Sequence, residues 1–462
     1  MRFNRTTGAL LLCSILSVSL SLSLIGCGGD KPADNAATPT APTKPGVTAD
    51  AGTKLVIAWA QWKPSDYLDE LSKDFTKETG IPVEVKQIEW PQYQQKIQTD
   101  VWSGKSPDYD IIVGDSQWLG RGATEGHYVD LTDWSKTNVP WSEISPAAKT
   151  FYCDYDGKTW GIPCEADAIG FAYRKDLFED PAEKTAYKAK YKRDLAPPKT
   201  WDEFRDIAEF FTRPDKNLYG TALFYAGGGG YDGITMGFDQ LLWCYGGDLH
   251  NDKNEVQGVI NSPTSVKALA FYTQELKKFT PPGSETYYYN ETLKAFQTGQ
   301  VAMAMDWYTF FPGLTDTAQN PLADKTGFFL SPAGPKGRFI SLGGQGMSIS
   351  SYSKNQENAK KFLAWFSKQE NQQKWAKLGG LTCDTTVLAS SDFKNAAPFN
   401  PSFADSVGSL KDFYNNPKYA ELLDSTQTNW NAVVTGTMQP QAAMDTIAAK
   451  HTQVLKDAGI LK

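Results

Sequence analysis

An α/β protein built in two parts is what this sequence predicts, on three observations. Beyond its first 52 residues the chain runs strand, helix, strand; short apolar runs then alternate with capped amphipathic helices; and 462 residues exceed one ordinary domain. Lys54–Ala60 (KLVIAWA) is the first strand. The helix after it begins near Ser65, turns Leu68, Leu71 and Phe75 to one face and stops at Gly80, and Ile81–Ile88 is the second strand. Asp110–Gly114 is a further buried strand. Open α/β sheets bind ligands beyond the carboxyl ends of their strands. That rule singles out Trp59, Gln61 and Trp62 after the first strand and Asp115 after the later one.

The remaining elements announce themselves by caps. Thr200-Trp201-Asp202-Glu203 is a capping box that starts a helix with Phe204, Ile207, Ala208 and Phe211 inward. Ser262-Pro263 starts another, with Val266, Leu269 and Leu276 inward, and a third helix runs from about Gln356 to Leu378 and ends at Gly379-Gly380. Tyr219–Tyr225 is a strand leading into the loop AGGGGYDG, which carries Tyr231 and Asp232. The stretch Glu291–Phe311 reads as a helix with Leu293 and Phe296 inward, a stop at Gly299, and a strand Val301–Met305 that empties onto Asp306, Trp307 and Tyr308.

The first 26 residues read as a targeting segment: Arg2 and Arg5 precede the apolar, serine-punctuated run Ala9–Gly26. Leu24-Ile25-Gly26-Cys27 resembles a bacterial lipobox, which implies cleavage and lipid attachment at Cys27. Residues 27–52 then form a flexible tether rich in small residues, Thr and Pro. Loss of the segment leaves 44 basic residues against 53 acidic, a net charge of about −9, which argues against nucleic acid and acidic membranes as partners. The body is expected outside the cytoplasm, on the periplasmic side or the cell surface. In that compartment Cys153, Cys164, Cys244 and Cys383 are possible disulfides, Cys153 with Cys164 and Cys244 with Cys383 favoured over two other pairings and over buried thiols.

Three scattered histidines, no HExxH, no GxSxG and no GK[ST] after Gly227–Gly230 leave metal, serine-nucleophile and nucleotide chemistry unsupported, and no cofactor is expected. Glu165 and Asp167 share one extended stretch. Paired carboxylates serve glycoside hydrolysis or the binding of sugar hydroxyls, and the 13% aromatic content offers faces on which sugar rings stack.

Several segments carry a resemblance when taken together: GKTWGIPCEADAIGFAYRKDLF, PPKTWDEF, FDQLLWCYGGDL, INSPTSVKALAFYTQEL, AFQTGQVAMAMDWY and ISLGGQGMSISSYSKNQENAKKFLAWF. In this order they resemble the extracellular solute-binding proteins of ABC importers, in the carbohydrate cluster of maltose/maltodextrin type (family 1). The resemblance implies a type-II periplasmic-binding-protein fold, two α/β lobes joined by crossover hinge strands. Lobe one would comprise residues 53–163 and 306–344, lobe two 164–305 and 345–462. It implies a monomeric, non-enzymatic receptor that takes a carbohydrate or polyol between its lobes and delivers it to membrane permease subunits. Contacts carried over are Trp59, Gln61, Trp62, Asp115, Glu165, Asp167, Tyr231, Asp232, Trp243, Asp306, Trp307, Gly344 and Gln345, with Trp59 and Trp243 standing between cleft and core. Gln345 departs from relatives that carry an aromatic there. The alternatives are a receptor for a phosphorylated polyol such as a glycerol phosphodiester, and a secreted glycoside hydrolase using Glu165 and Asp306.

Overall fold

Strand β1 (Leu55–Ala60) is apolar on both faces and buried on both, as parallel strands under helices are. In the computed structural model, which describes residues 53–227 and 232–462, it is flanked by the parallel strands β2 (Val83–Ile88) and β3 (Ile111–Asp115). Five more strands extend the sheet: β4 (Ile162–Arg174), β5 (Tyr219–Ala222), β6 (Val301–Trp307), β7 (Thr326–Phe329) and β8 (Ile340–Ile349); the two-residue β9 (Leu410–Lys411) completes it. The order is β2-β1-β3-β8-β4-β6-β5, with β7 paired to β4 and β9 to β8.

Two long antiparallel neighbours, β4 and β8, belong to both halves of this sheet. Gln345–Ile349 of β8 pair with β3, and Leu342–Met347 pair with Ile162–Ala168 of β4. Farther along β4, Ile169–Tyr173 pair with β6 and Phe171–Arg174 with β7. The two halves therefore meet where β4 and β8 cross, around Asp167 and Gly343–Gln345, and the register shifts there between Gln345 and Gly346.

These pairings run against part of the expected partition. β6 pairs only with strands of the second half and β7 joins β4 there, so the chain does not return to the first half at residue 306. The apolar run of β6 is completely buried between β4 and β5, which explains why it stays. The return comes along β8. Beyond β8 the chain divides between the halves.

Ten of the helices place the rest. In chain order they are α1 (Lys63–Thr79), α2 (Ser116–Thr124), α3 (Trp201–Phe211), α4 (Gly233–Tyr245), α5 (Pro263–Ala270), α6 (Tyr289–Gln297), α7 (Gln356–Phe366), α8 (Gln369–Leu378), α9 (Tyr419–Val434) and α10 (Pro440–Asp457). α1 buries Leu68, Leu71 and Phe75 as its spacing demands. α7 and α8 pack on α1 in the first half: Phe75 meets Phe362 at 5.1 Å and Trp365 at 5.4 Å between ring centroids. The single helix expected from Gln356 to Leu378 is broken at Lys368, where the backbone is extended. The Asn371 and Gln372 side chains satisfy the Trp365 and Phe366 carbonyls of the first segment at 2.7 and 2.8 Å. α9 packs on α4 in the second half, Trp430 against Phe238 at 4.8 Å. In α3 the Thr200 hydroxyl caps the Glu203 N–H as its sequence requires, and Phe204, Ile207, Ala208 and Phe211 are buried.

The expected disulfides are absent: Cys153, Cys164, Cys244 and Cys383 are all buried free thiols. Cys244 lies against the Pro332 and Phe339 carbonyls, whereas Cys153 hydrogen-bonds the Ala148 carbonyl; each is packed as a small apolar residue. Among the described residues no helix is long and apolar enough to cross a membrane. The targeting segment, Cys27 and the tether lie outside the described residues.

Candidate functional site

A cavity of about 110 Å³ lies at the crossing of β4 and β8 and draws its walls from both halves of the sheet. From the first half come Gln61 and Trp62, directly after β1, and Asp115 at the end of β3 with Gln117 on the first turn of α2. The crossing itself supplies Asp167, Leu342, Gly343, Gly344 and Gln345. The second half contributes Asp232 and Met236 at the start of α4, Tyr288 and Tyr289 at the start of α6, and Trp307, Thr309 and Phe310 after β6.

Side-chain hydrogen bonds fix this second wall. The Tyr288 hydroxyl donates to Asp232 Oδ1 at 2.6 Å and accepts from the Trp307 indole N–H at 3.2 Å. Gln117 Nε2 reaches Asp232 Oδ2 at 3.5 Å and so spans the cavity from the first half. The Tyr289 and Phe310 rings stack at 4.6 Å, nearly parallel, and Phe310 leans toward Trp62 at 6.5 Å.

The backbone at the crossing admits only glycine. Gly344 has φ +90, and a Cβ there would lie 2.3 Å from the Glu165 carbonyl oxygen. At Gly343 a Cβ would lie 2.8 Å from the Trp307 ring, so the missing side chain is what lets that ring lie against the strand.

Three carboxyl groups line the cavity with no Lys, Arg or His beside them. Burial raises Asp167 to about 8 although its Oδ1 accepts from the N–H groups of Ala168 and Thr309, and burial raises Asp232 to about 6 against the lowering effect of Tyr288 and Gln117. Asp115 is pushed well above the usual carboxylate range by burial, then by the neighbouring charges of Asp232 and Asp412. Asp412, behind this wall, rises to about 7 by burial.

Of the residues singled out in the sequence, Gln61, Trp62, Asp115, Asp167, Asp232, Trp307, Gly344 and Gln345 line the cavity. Four others do not. Trp59 is fully buried, stacks on Trp375 at 6.4 Å and donates its indole N–H to Gln345 Oε1 at 3.0 Å, so it holds a cavity residue from behind. Glu165 is fully buried and both its oxygens accept from the Leu381 N–H, at 3.2 and 3.1 Å. Asp306 is fully buried, accepting from the Thr292 hydroxyl and its own following N–H, both at 2.8 Å, because alternation along β6 turns it away from the face that Trp307 presents. Trp243 packs in the core, its N–H on Asp248 and its ring under Lys411. Tyr231 lies outside the described residues. With Glu165 and Asp306 both sealed away from the cavity, the hydrolase reading loses the pair it rested on. Sequence reasoning passed over Gln117, Tyr288, Tyr289, Thr309 and Phe310; the run Tyr287-Tyr288-Tyr289 just before a helix was the available signal. Among the described residues no group of three His, Cys, Asp or Glu side chains is placed to hold a metal.

Comparison with known proteins accords with this geometry. Residues 59–373 match the family model described as bacterial extracellular solute-binding protein. A putative binding protein of Brucella abortus is 27% identical over 422 residues, covering 88% of this chain and 95% of the relative. A mannitol-binding protein of Pseudomonas aeruginosa is 28% identical over 214 residues, covering 46% of each. An ABC transporter solute-binding protein from Agrobacterium radiobacter, solved in complex with ribitol, superposes with a TM-score of 0.74 at 26% identity, covering 87% of this chain and 99% of the other.

Proposed function

We propose, from the premise that this chain belongs to the family of bacterial extracellular solute-binding proteins and is a binding protein rather than an enzyme, that it captures a monosaccharide or small linear polyol and delivers it to an ABC import permease. One observation carries this reading. The cavity at the strand crossing is small, enclosed by both halves of the sheet, and lined by carboxyl and carboxamide groups interleaved with aromatic faces. Carboxylates and amides hydrogen-bond vicinal hydroxyls, rings cover the C–H faces, and exclusion of water makes those bonds count. A ribitol-bound receptor and a mannitol-binding protein are among the similar proteins, and the small volume of the cavity favours a ligand of that size over an oligosaccharide. Absence of any basic residue from the lining disfavours a phosphorylated polyol.

The two halves act as lobes that meet at β4 and β8, and the ligand stabilises the closed form by its differential affinity for it. Lobe one holds β1–β3 with α1, α2, α7 and α8; lobe two holds β5–β7 with α3–α6, α9 and α10. A lipid on Cys27 and the adjoining tether keep the receptor, a monomer, beside its permease.

The test is a thermal-shift screen of the mature chain with pentitols, hexitols and hexoses. A ligand at about 100 times its Kd stabilises by about 2.7 kcal/mol, and Trp62→Ala should abolish the shift. Absence of any shift across the whole set would overturn the reading.

A further inference from the structure

The receptor reading leaves open what the ligand carries besides hydroxyl groups, and the balance of donors and acceptors in the cavity bears on that. A hydroxyl both donates and accepts, so a site for a neutral polyol offers both kinds of partner. Here the acceptors dominate. Asp115, Asp167 and Asp232 line the cavity, and two of its donors, Gln117 Nε2 and the Tyr288 hydroxyl, are already spent on Asp232.

Carboxyl groups continue behind the wall. Asp412 stands near Asp115 and Asp232, and beyond it Asp239 on α4 is fully buried with neither carboxyl oxygen hydrogen-bonded. Lys411, the cation that Asp239 faces, is held by Asp248 at 2.6 Å and lies over the Trp243 ring at 5.0 Å, outside the cavity lining. Aromatic rings stand on both walls beside these groups: Trp62 with Asp115, and Tyr289, Trp307 and Phe310 with Asp232. Carboxyl groups gathered with aromatic rings, without a basic side chain between them, form an environment suited to a cation: an ammonium entering there lets neighbouring carboxyls that burial keeps protonated ionise beside it, and the ring quadrupoles attract it. A second, independent sign of an absent ligand is Gln345. It is 4% exposed, its Oε1 accepts from Trp59, and its Nε2 has no acceptor among the described residues, which leaves that amide group's N–H donors for ligand hydroxyls.

We propose that the polyhydroxylated ligand of this cavity bears a protonated amine, an amino sugar or amino polyol, whose ammonium group is held between Asp115 and Asp232 among the aromatic rings while Gln345 and Asp167 take its hydroxyls. This rests on the receptor reading above and narrows its substrate class. The ammonium supplies the counter-charge that the cavity lacks.

Calorimetric titration of the mature chain at pH 7 with matched pairs tests it: hexitols against their 1-amino-1-deoxy counterparts, and glucose, mannose and galactose against their 2-amino-2-deoxy counterparts. In at least one pair the amine is expected to bind about tenfold or more tightly than its neutral twin. Asp115→Asn and Asp232→Asn, each checked for an unchanged fold by circular dichroism, are expected to erase that preference rather than weaken both twins equally. If a neutral sugar or polyol binds as tightly as its amino twin, the inference falls and the receptor reading stands. If no member of any pair binds, both fall. The wild-type pairs alone decide the matter should either variant fail to fold.

Discussion

The two walls of the cavity are assembled by different means. In the first half the groups sit at strand ends or just past them: Gln61 and Trp62 leave β1, Asp115 ends β3, and Gln117 follows on the first turn of α2. Sheet hydrogen bonds set their positions, and the Trp59 indole behind them fixes Gln345. In the second half Asp232, Tyr288 and Tyr289 come from helix starts, and the Tyr288 hydroxyl ties Asp232 to Trp307. Backbone positions one wall; side chains position the other. The first should tolerate polar substitution without distortion, and the second should lose its shape when one hydroxyl is removed.

The seam that both walls share gives the largest effect. Gly344→Ala places a Cβ within 2.3 Å of the Glu165 carbonyl at a left-handed backbone, and should destabilise the chain by about 3 kcal/mol, read from urea unfolding; a cost below about 1 kcal/mol would show that the crossing relaxes freely. Next comes the asymmetry itself. Tyr288→Phe should weaken ligand binding about tenfold, the equivalent of ~1.4 kcal/mol, because Asp232 and Trp307 lose their common partner. Gln117→Ala, on the strand-set wall, should cost only a few-fold. Equal losses in the two variants would erase the distinction.

The smallest effect is on pH dependence. Carboxyl groups of the unfolded chain titrate near about 4, whereas Asp232, Asp412 and Asp167 titrate at about 6, 7 and 8 in the folded protein. Between those values the folded state holds protons that the unfolded state has released, so stability present below about pH 4 is lost as pH rises through 6, 7 and 8. The ligand-free protein should melt several degrees lower at pH 8 than at pH 5, and Asp412→Asn should flatten the part of that slope below pH 7. A Tm that rises over this interval would show that these carboxyls have counter-charges.

Much of this arrangement was legible in the sequence, and the failures have physical causes. The β1-α1-β2 entry, the cap at Thr200 and the burial of Val301–Met305 follow from local pattern, and eight of the expected contacts line the cavity because strand ends are set by the same local pattern. Asp306 turns away from the cavity and Trp59, open between cleft and core in the sequence, falls to the core, because one residue along a strand reverses the face and only the register decides which face meets the cavity. Glu165 and Asp167 share a face by alternation in a regular stretch of pairing, yet Glu165 is covered by the backbone at Leu381, a segment 216 residues away in the chain. Tyr288 was missed because its role depends on residues 56 positions upstream and 19 downstream. The lobe boundary failed for a similar reason: a buried strand such as β6 fits either half until its neighbours are known.

The four sulfhydryls have a practical consequence. Cys153, Cys164, Cys244 and Cys383 are sealed in the folded chain, and burial keeps the thiols of Cys153, Cys164 and Cys383 far from the reactive thiolate form. An alkylating reagent can reach them only when the surrounding core opens, so the rate of alkylation is a built-in clock for unfolding. A hinge motion that merely parts the two walls leaves that clock unmoved, and the protein thereby carries its own means of separating breathing from breaking.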